Sequence, residues 1–332
     1  MMATWLEWLR ARRKALIRYG SFFALCSLVS AYLTFPRDVL REYIIQSVEH
    51  PLTKEGTRRV SGLHMRIQEL ETSWLTGVTL TGVEFYKEKP SNPNAATVLA
   101  ADEVTLRVSL WSLLWGNQGG SLHAEVGNGT VDVSVSMNDE RLSLEASLDA
   151  VPLRQLLPKG LGAIPLFGEA NGEIELDIDT DPKQTEGAIE LTIAQLVFGD
   201  GKQEIPIPGA GMGFAVDKTN AGTLNIVIPV SEGVAKVKTF RAKGPDIEMQ
   251  VQGTIHLLRA LSMSRIEGLM RLKFSESYRG KHEWLNGLYS IMDLNPTLRA
   301  AKTTDDALQY KLSGSLGGSL FSTPAGSMPP PS

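Results

Sequence analysis

The chain has 332 residues, 42% of them hydrophobic, which excludes global disorder and leaves room for one large or two ordinary domains. Its 33 basic and 37 acidic side chains give a net charge of -4 spread along the sequence, so no field exists to hold a polyanion, and nucleic acid is not an expected partner. The single cysteine, Cys26, lies in the most apolar stretch, so neither a disulfide framework nor a cysteine-based metal site is expected.

Residues 1–18 carry Arg10, Arg12, Arg13, Lys14 and Arg18 and read as a basic leader, with Trp5, Leu6, Trp8 and Leu9 suited to a membrane surface. Residues 19–36, YGSFFALCSLVSAYLTFP, hold no charge and are long enough to span a bilayer as a helix. The charge bias before this segment puts the N-terminus in the cytosol and the body beyond the membrane. A cleaved signal peptide is the competing reading, because Val29 and Ala31 resemble small residues ahead of a cleavage site.

Residues 37–50 place Val39, Leu40, Tyr43, Ile44 and Val48 at helical spacing, and Pro51 ends the segment. Beyond it the apolar period changes to two. Val131, Val133 and Val135 follow that rule, as do Leu224, Ile226, Ile228 and Val230, and the run Ile247, Met249, Val251, Ile255 and Leu257. Turn signals separate these runs at 127–129, 138–139, 179–182, 199–201, 220–222 and 244–246. Helix is expected only at 111–115, 153–157 and 283–292. That is too little to cover one face of so long a sheet, so the apolar face must pack on itself, as a sandwich, barrel or curved trough, or against a lipid-like ligand.

Gly172 and Gly187 open similar strand segments fifteen residues apart, and Gly253 and Gly268 do the same. Each glycine falls on the apolar parity two residues before a large apolar side chain, which predicts bends, bulges or close packing. Residues 308–321 continue the alternation, with Leu308, Tyr310, Leu312, Gly314, Leu316, Gly318 and Leu320 on one face. A single strand is expected there rather than a phosphate-binding loop, because nothing after Phe321 can form a helix. Residues 323–332, rich in proline and small side chains, read as a disordered tail.

Two stretches carry a family resemblance. Residues 104–116, VTLRVSLWSLLWG, and 152–172, with Pro152, Leu153, Leu156, Leu157, Pro158 and the run Ile164 to Gly168, look like successive units of AsmA-like proteins of bacterial envelopes. With Phe240 to Ile247, Gly253-Thr254-Ile255, the closing Tyr310 to Leu316 and the anchor ending Phe35-Pro36, the chain resembles the type II secretion system protein N family. The resemblance implies a mainly β protein: a long, strongly curved antiparallel sheet, the AsmA-like groove, with a few short helices behind one transmembrane helix. The β-rich domain would cover 37–322 and lie in the periplasm, anchored once in the bacterial inner membrane. Other type II secretion subunits are the implied partners, and the family offers no catalytic residue. The alternative is an AsmA-like lipid-binding or lipid-transfer protein. Its acyl chains would lie on Leu106, Val108, Ile174, Leu176, Ile189, Leu191, Leu224, Ile226, Met249, Val251, Leu312 and Leu316.

Enzyme signatures are not found. His50, His64, His123, His256 and His282 are far apart, and none makes an i, i+4 metal pair. Asp177, Asp179 and Asp181 imitate the start of a calcium loop, but Pro182 and Ala188 occupy the positions that need glycine and glutamate. There is no nucleophile elbow and no phosphate loop. The acid pairs Asp102-Glu103 and Asp305-Asp306 read as solvated turn residues. No enzyme activity, metal or cofactor is expected.

Overall fold

The computed structural model describes residues 18–23, 26, 27, 30, 37–49, 64–73, 77–86, 97–108, 118–138, 140–156, 164–202, 204–206, 213–215, 217–258, 263–316 and 320–329. Residues 18–23, 26, 27 and 30 are helical and exposed; the leader up to residue 17 and the rest of the 19–36 segment lie outside the described residues, as does the helix expected at 111–115. Among the described residues no helix is long and apolar enough to cross a membrane.

Helix α1 spans Arg37–Glu49 and is followed by strands β1 (His64–Ser73), β2 (Gly77–Tyr86), β3 (Thr97–Val108), β4 (Gln118–Val126), β5 (Gly129–Met137) and β6 (Arg141–Pro152). After the short helix α2 (Leu153–Leu156) come β7 (Leu166–Asp179), β8 (Glu186–Phe198), and the two short strands β9 (Glu204–Pro206) and β10 (Gly213–Ala215). The chain continues through β11 (Thr219–Ser231), β12 (Val234–Lys236), β13 (Thr239–Lys243), β14 (Ile247–His256) and β15 (Arg265–Phe274). Helices α3 (Glu276–Lys281), α4 (Glu283–Leu294) and α5 (Pro296–Arg299) then lead to β16 (Leu308–Ser315) and β17 (Leu320–Pro324).

Fifteen of these strands form one antiparallel sheet in which sequence neighbours are spatial neighbours, from β1 to β17; β9 and β10 pair only with each other. The order follows from the short connections, which favour hairpins. Consecutive connections therefore fall alternately at two ends of the sheet. The first end carries the β1/β2, β3/β4, β5/β6, β7/β8, β11/β12, β14/β15 and β16/β17 connections, and the second carries the β2/β3, β4/β5, β6/β7, β8/β11, β13/β14 and β15/β16 connections, while β12 and β13 follow one another in line between β11 and β14.

Period-two patterning sets the register. Leu106, Leu122, Val133, Ala146, Ile174, Ile189 and Ile228 stand opposite one another in sequence, a ladder of apolar residues across seven strands. A second ladder runs Leu80, Val104, Ala124, Val131, Leu148, Gly172, Leu191, Ile226 and Phe240. A one-residue slip anywhere would turn a strand's aliphatic set to the wet face, so the register is strongly specified.

Helices cover this apolar face in three places. Leu40, Ile44, Ile45 and Val48 of α1 pack on the cluster holding Met65, Ile67 and Leu80. Leu153 of α2 enters the cluster of Leu166, Ala170, Leu196 and Leu224. Tyr278 of α3 and Leu285, Tyr289 and Met292 of α4 close over Leu308, Leu272 and Phe274. The helix starting at residue 37, α2 and α4 were all legible from spacing; α3 and α5 were not, being too short to show a period.

Three expectations are corrected. Residues 308–321 form a hairpin rather than one strand: β16 ends at Ser315 and β17 pairs back on it, with Gly314 opposite Leu320. Gly-Ser runs that keep alternation also turn easily, and parity cannot distinguish the two. Residues 220–222 make no turn between strands but a bulge within β11, where register shifts flank Gly222, at φ +71°, and the Asn220 side chain accepts from the Gly222 amide at 2.8 Å. The segment after β17 packs back on β16: Ala325 is buried, and the fully buried Gln309 donates from Nε2 to the carbonyls of Ala325 and Met328 at 3.0 and 2.9 Å. A small, proline-rich segment needs few contacts of its own when one buried amide serves its carbonyls.

Candidate functional site

The candidate site is the apolar sheet face. Of the twelve residues proposed to line it, eleven stand within strands, and register puts them on that one face: Leu106, Ile174 and Ile189 in the first ladder, and Leu191 and Ile226 in the second. Leu176 faces Leu144, and Val108 reaches the same row through Gly120 and Val135. Leu224 faces Ile193 and Ala242, Met249 faces Ala242 and Leu272, Val251 faces Met270, and Leu312 faces Gly268. Leu316 lies beyond the end of β16 and is exposed.

Covering varies along this face. Leu176, Leu224 and Met249 are buried, whereas Leu106, Ile174, Ile189, Leu191, Ile226, Val251 and Leu312 are half-buried. At the first end of β3 and β5 the face is open, with Val108 51% exposed and Val135 and Met137 exposed beside it. A strip of aliphatic side chains left partly in water is the arrangement that a chain-like apolar ligand or a protein partner can complete.

The expected glycine placement takes a definite physical form. Gly172 sits at φ +142°, and a Cβ there would lie 2.0 Å from the carbonyl oxygen of Glu190, so the backbones of β7 and β8 approach closer than any other residue permits. Gly253 and Gly268 stand opposite each other, and Gly187 and Gly314 stand opposite Leu176 and Ile266. Each omission of a side chain brings strands together beside a large aliphatic neighbour.

Titratable groups serve other surfaces. His123 Nδ1 lies 2.6 Å from Asp132 Oδ1, a pair in direct register on the polar face. They border a depression of about 610 Å³ with Arg107, Glu145, Glu173 and Glu175; a second, of about 780 Å³, lies between Lys236, Arg241, Gln252 and Glu267. The polar side chains of alternate positions border both, with Leu122, Val133, Ala146 and Ile174 also lining the first and Phe240 and Val251 the second, and parity alone gave no sign of them. Asp179, far from being part of a calcium loop, accepts from the Asp181 amide at 2.9 Å and from Arg141 Nε at 3.2 Å; these bonds hold its carboxyl below the usual range. No group of three metal-ligating side chains occurs among the described residues.

The C-terminal cover is held by a set of ion pairs and hydrogen bonds. Asp305 accepts from the Thr303 hydroxyl at 2.7 Å, from Lys273 at 3.1 Å and from Arg271, which together hold its carboxyl well below the ordinary range. Asp306, bonded by Arg279 at 3.2 Å with Lys302 beside it at 3.3 Å, is lowered as well. Arg279 also lies 4.1 Å over the Tyr289 ring, whose phenol is raised by burial. His282 Nδ1, 2.7 Å from Asp217 Oδ2, ties the helices to the approach to β11, and the Tyr278 ring lies tilted by 30° against it. The acid pair at 305–306 thus lies exposed in a turn, as expected, and there anchors a set of ion pairs.

Comparison with models of known protein families, with curated proteins and with solved structures finds no match for this chain.

Proposed function

We propose that this chain is a membrane-anchored accessory subunit of a type II protein secretion system, held in the bacterial inner membrane by residues 19–36 with its body in the periplasm. The observation that carries the reading is the single antiparallel meander with an aliphatic face in register across its strands. It is the architecture implied by the sequence resemblance to the type II secretion system protein N family. We read the sheet as the strongly curved AsmA-like groove. Backbone approach at Gly172 and near-complete burial of Val151 and Ile178 on the sheet's own apolar face support curvature. Photo-crosslinkers placed along the sheet in cells should join the chain to other secretion subunits, and recovery of none would sink this assignment.

A second reading, lipid binding, is favoured by the half-buried ladder and the open end at Val108, Val135 and Met137. Native mass spectrometry of gently purified protein should then show bound acyl lipid, and protein free of lipid would remove that reading without touching the first.

A further inference from the structure

The direction of α1 and the location of exposed apolar side chains select one end of the sheet. Glu49 lies 3.1 Å from His64 at the start of β1, and Arg41 donates to the Ile67 carbonyl, so α1 runs antiparallel to β1. Its N-terminus therefore points to the first end, where β1 turns into β2. From Arg41 back to Arg37 the helix travels about 6 Å, and from Ile67 to Ser73 the strand travels about 20 Å. The first end thus reaches beyond Arg37, on the side to which the N-terminus of α1 points.

That same end carries most of the bare apolar side chains of the sheet. Apart from α1 and the helical residues before it, the exposed large hydrophobics among the described residues are Val108, Val135, Met137, Leu258, Met263 and Leu316, together with Leu294 and Met328. The first six all sit at the first end: the close of β3, the close of β5, the β14/β15 connection and the β16/β17 turn. Ser264 binds the second group together, its hydroxyl accepting from the Leu258 amide at 3.0 Å and its carbonyl from the Leu316 amide at 3.0 Å. Met263 is 68% exposed beside it. At the second end the turns 127–128, 199–202 and 244–246 expose no large hydrophobic side chain, and the exposed ones there are Leu294 in the β15/β16 connection and Met328 after β17.

We infer that the first end of the sheet is a membrane-contacting rim, seated in the interfacial layer of the same bilayer that receives residues 19–36. This rests on reading that segment as an anchor. Apolar side chains on loop tips gain by entering the headgroup boundary, and a tethered body meets that surface at high effective concentration, so even a few of them suffice. The charges at this rim are mixed in sign, with Glu140, Arg141, Asp181, Lys183, Glu232 and Arg265, so apolar insertion rather than anionic lipid supplies the attraction. Contact along strand ends also leaves both faces of the sheet free.

The test uses the full chain carrying Cys26→Ser, reconstituted in phosphatidylcholine vesicles, with an environment-sensitive fluorophore on one introduced cysteine at a time. Met137→Cys and Met263→Cys report the rim, Asn128→Cys the second end, Ile174→Cys the middle of the apolar face and Leu28→Cys the anchor. The rim labels should shift to the blue and be quenched by nitroxide lipids several-fold more strongly than the labels at 128 and 174. Rim labels as open to water as that at 128, with residue 28 quenched, would overturn the rim and leave the anchor standing. An unquenched label at 28 would overturn the anchor, and the inference with it. Equal quenching at 174 would mean that lipid enters the sheet face instead. A blue shift in detergent that grows with protein concentration would assign the rim to a second copy of the chain. Either of these last results also overturns it.

Discussion

The stretch from β3 to β7 and the stretch from β14 to β16 are built from the same alternating strands, and both leave part of the aliphatic face half in water, but helices close over the second end of the latter. There, α3 and α4 bury Leu285 and Met292 almost completely over Leu308, Leu272 and Phe274, and the tail is clamped by Gln309. In the former, Val108 and Val135 remain exposed at the strand ends. The difference teaches that strand patterning specifies register and not cover. What is available to occupy the open stretch is decided by helices inserted elsewhere in the chain.

Perturbations should separate the two stretches in graded fashion. The largest effect is expected from Gly172→Val, whose Cβ meets the Glu190 carbonyl; loss on the order of 4 kcal/mol should appear as failure to fold or a collapsed denaturation midpoint. Leu285→Ala removes a side chain with no exposure and should cost about 3 kcal/mol in chemical denaturation. Gln309→Ala leaves the tail carbonyls without their donor, for roughly 2 kcal/mol, and proteolysis should then trim the chain after β17.

The acid pair gives a smaller effect of known sign. Asp305 and Asp306 have folded-state values below the unfolded value of about 3.9, so their contribution is present above about pH 4 and lost as pH falls through the folded values. Replacing both with asparagine should lower stability at neutral pH by less than about 1 kcal/mol, because both are partly solvated, and should flatten the acid limb of the stability curve. Smallest of all, Val135→Ala in the open stretch should stay within about 0.5 kcal/mol of the parent; a cost as large as that of Leu285→Ala would show that the open stretch is covered after all.

How much of this was legible in the sequence depended on the kind of signal. Period two exposed the strands and placed eleven of the twelve candidate lining residues on one face, because parity and sheet face are the same fact for residues such as Ile174 and Ile226. Glycines such as Gly172 were legible too, since a side chain missing from an apolar strand face points directly to a close backbone approach or a bend. Hidden from the sequence were events that depend on distant partners. Asn220-Ala221-Gly222 has turn chemistry but is held as a bulge by the Asp246 carboxylate, which accepts from the Asn220 amide at 2.8 Å. The tail looked unpackable because Gln309, sixteen residues earlier than its first acceptor, gives no local sign of its role. The depressions were invisible because they arise from the shape of the sheet, which alternating residues do not show on their own.

The near-sequential strand order has a consequence for how the molecule comes to exist. Nearly every strand pairs with the one made just before it, so the growing sheet always offers its newest strand as the template for the next, and loop closure at each step stays short. Such a chain can assemble progressively from the N-terminus as it emerges, without waiting for its C-terminal half. The step from β8 to β11 and the helical insertion before β16 are the two places where that progress must pause, and β16 can add to β15 only after α3 to α5 have passed. Folding intermediates trapped during synthesis should therefore accumulate with β8 or β15 as their last paired edge.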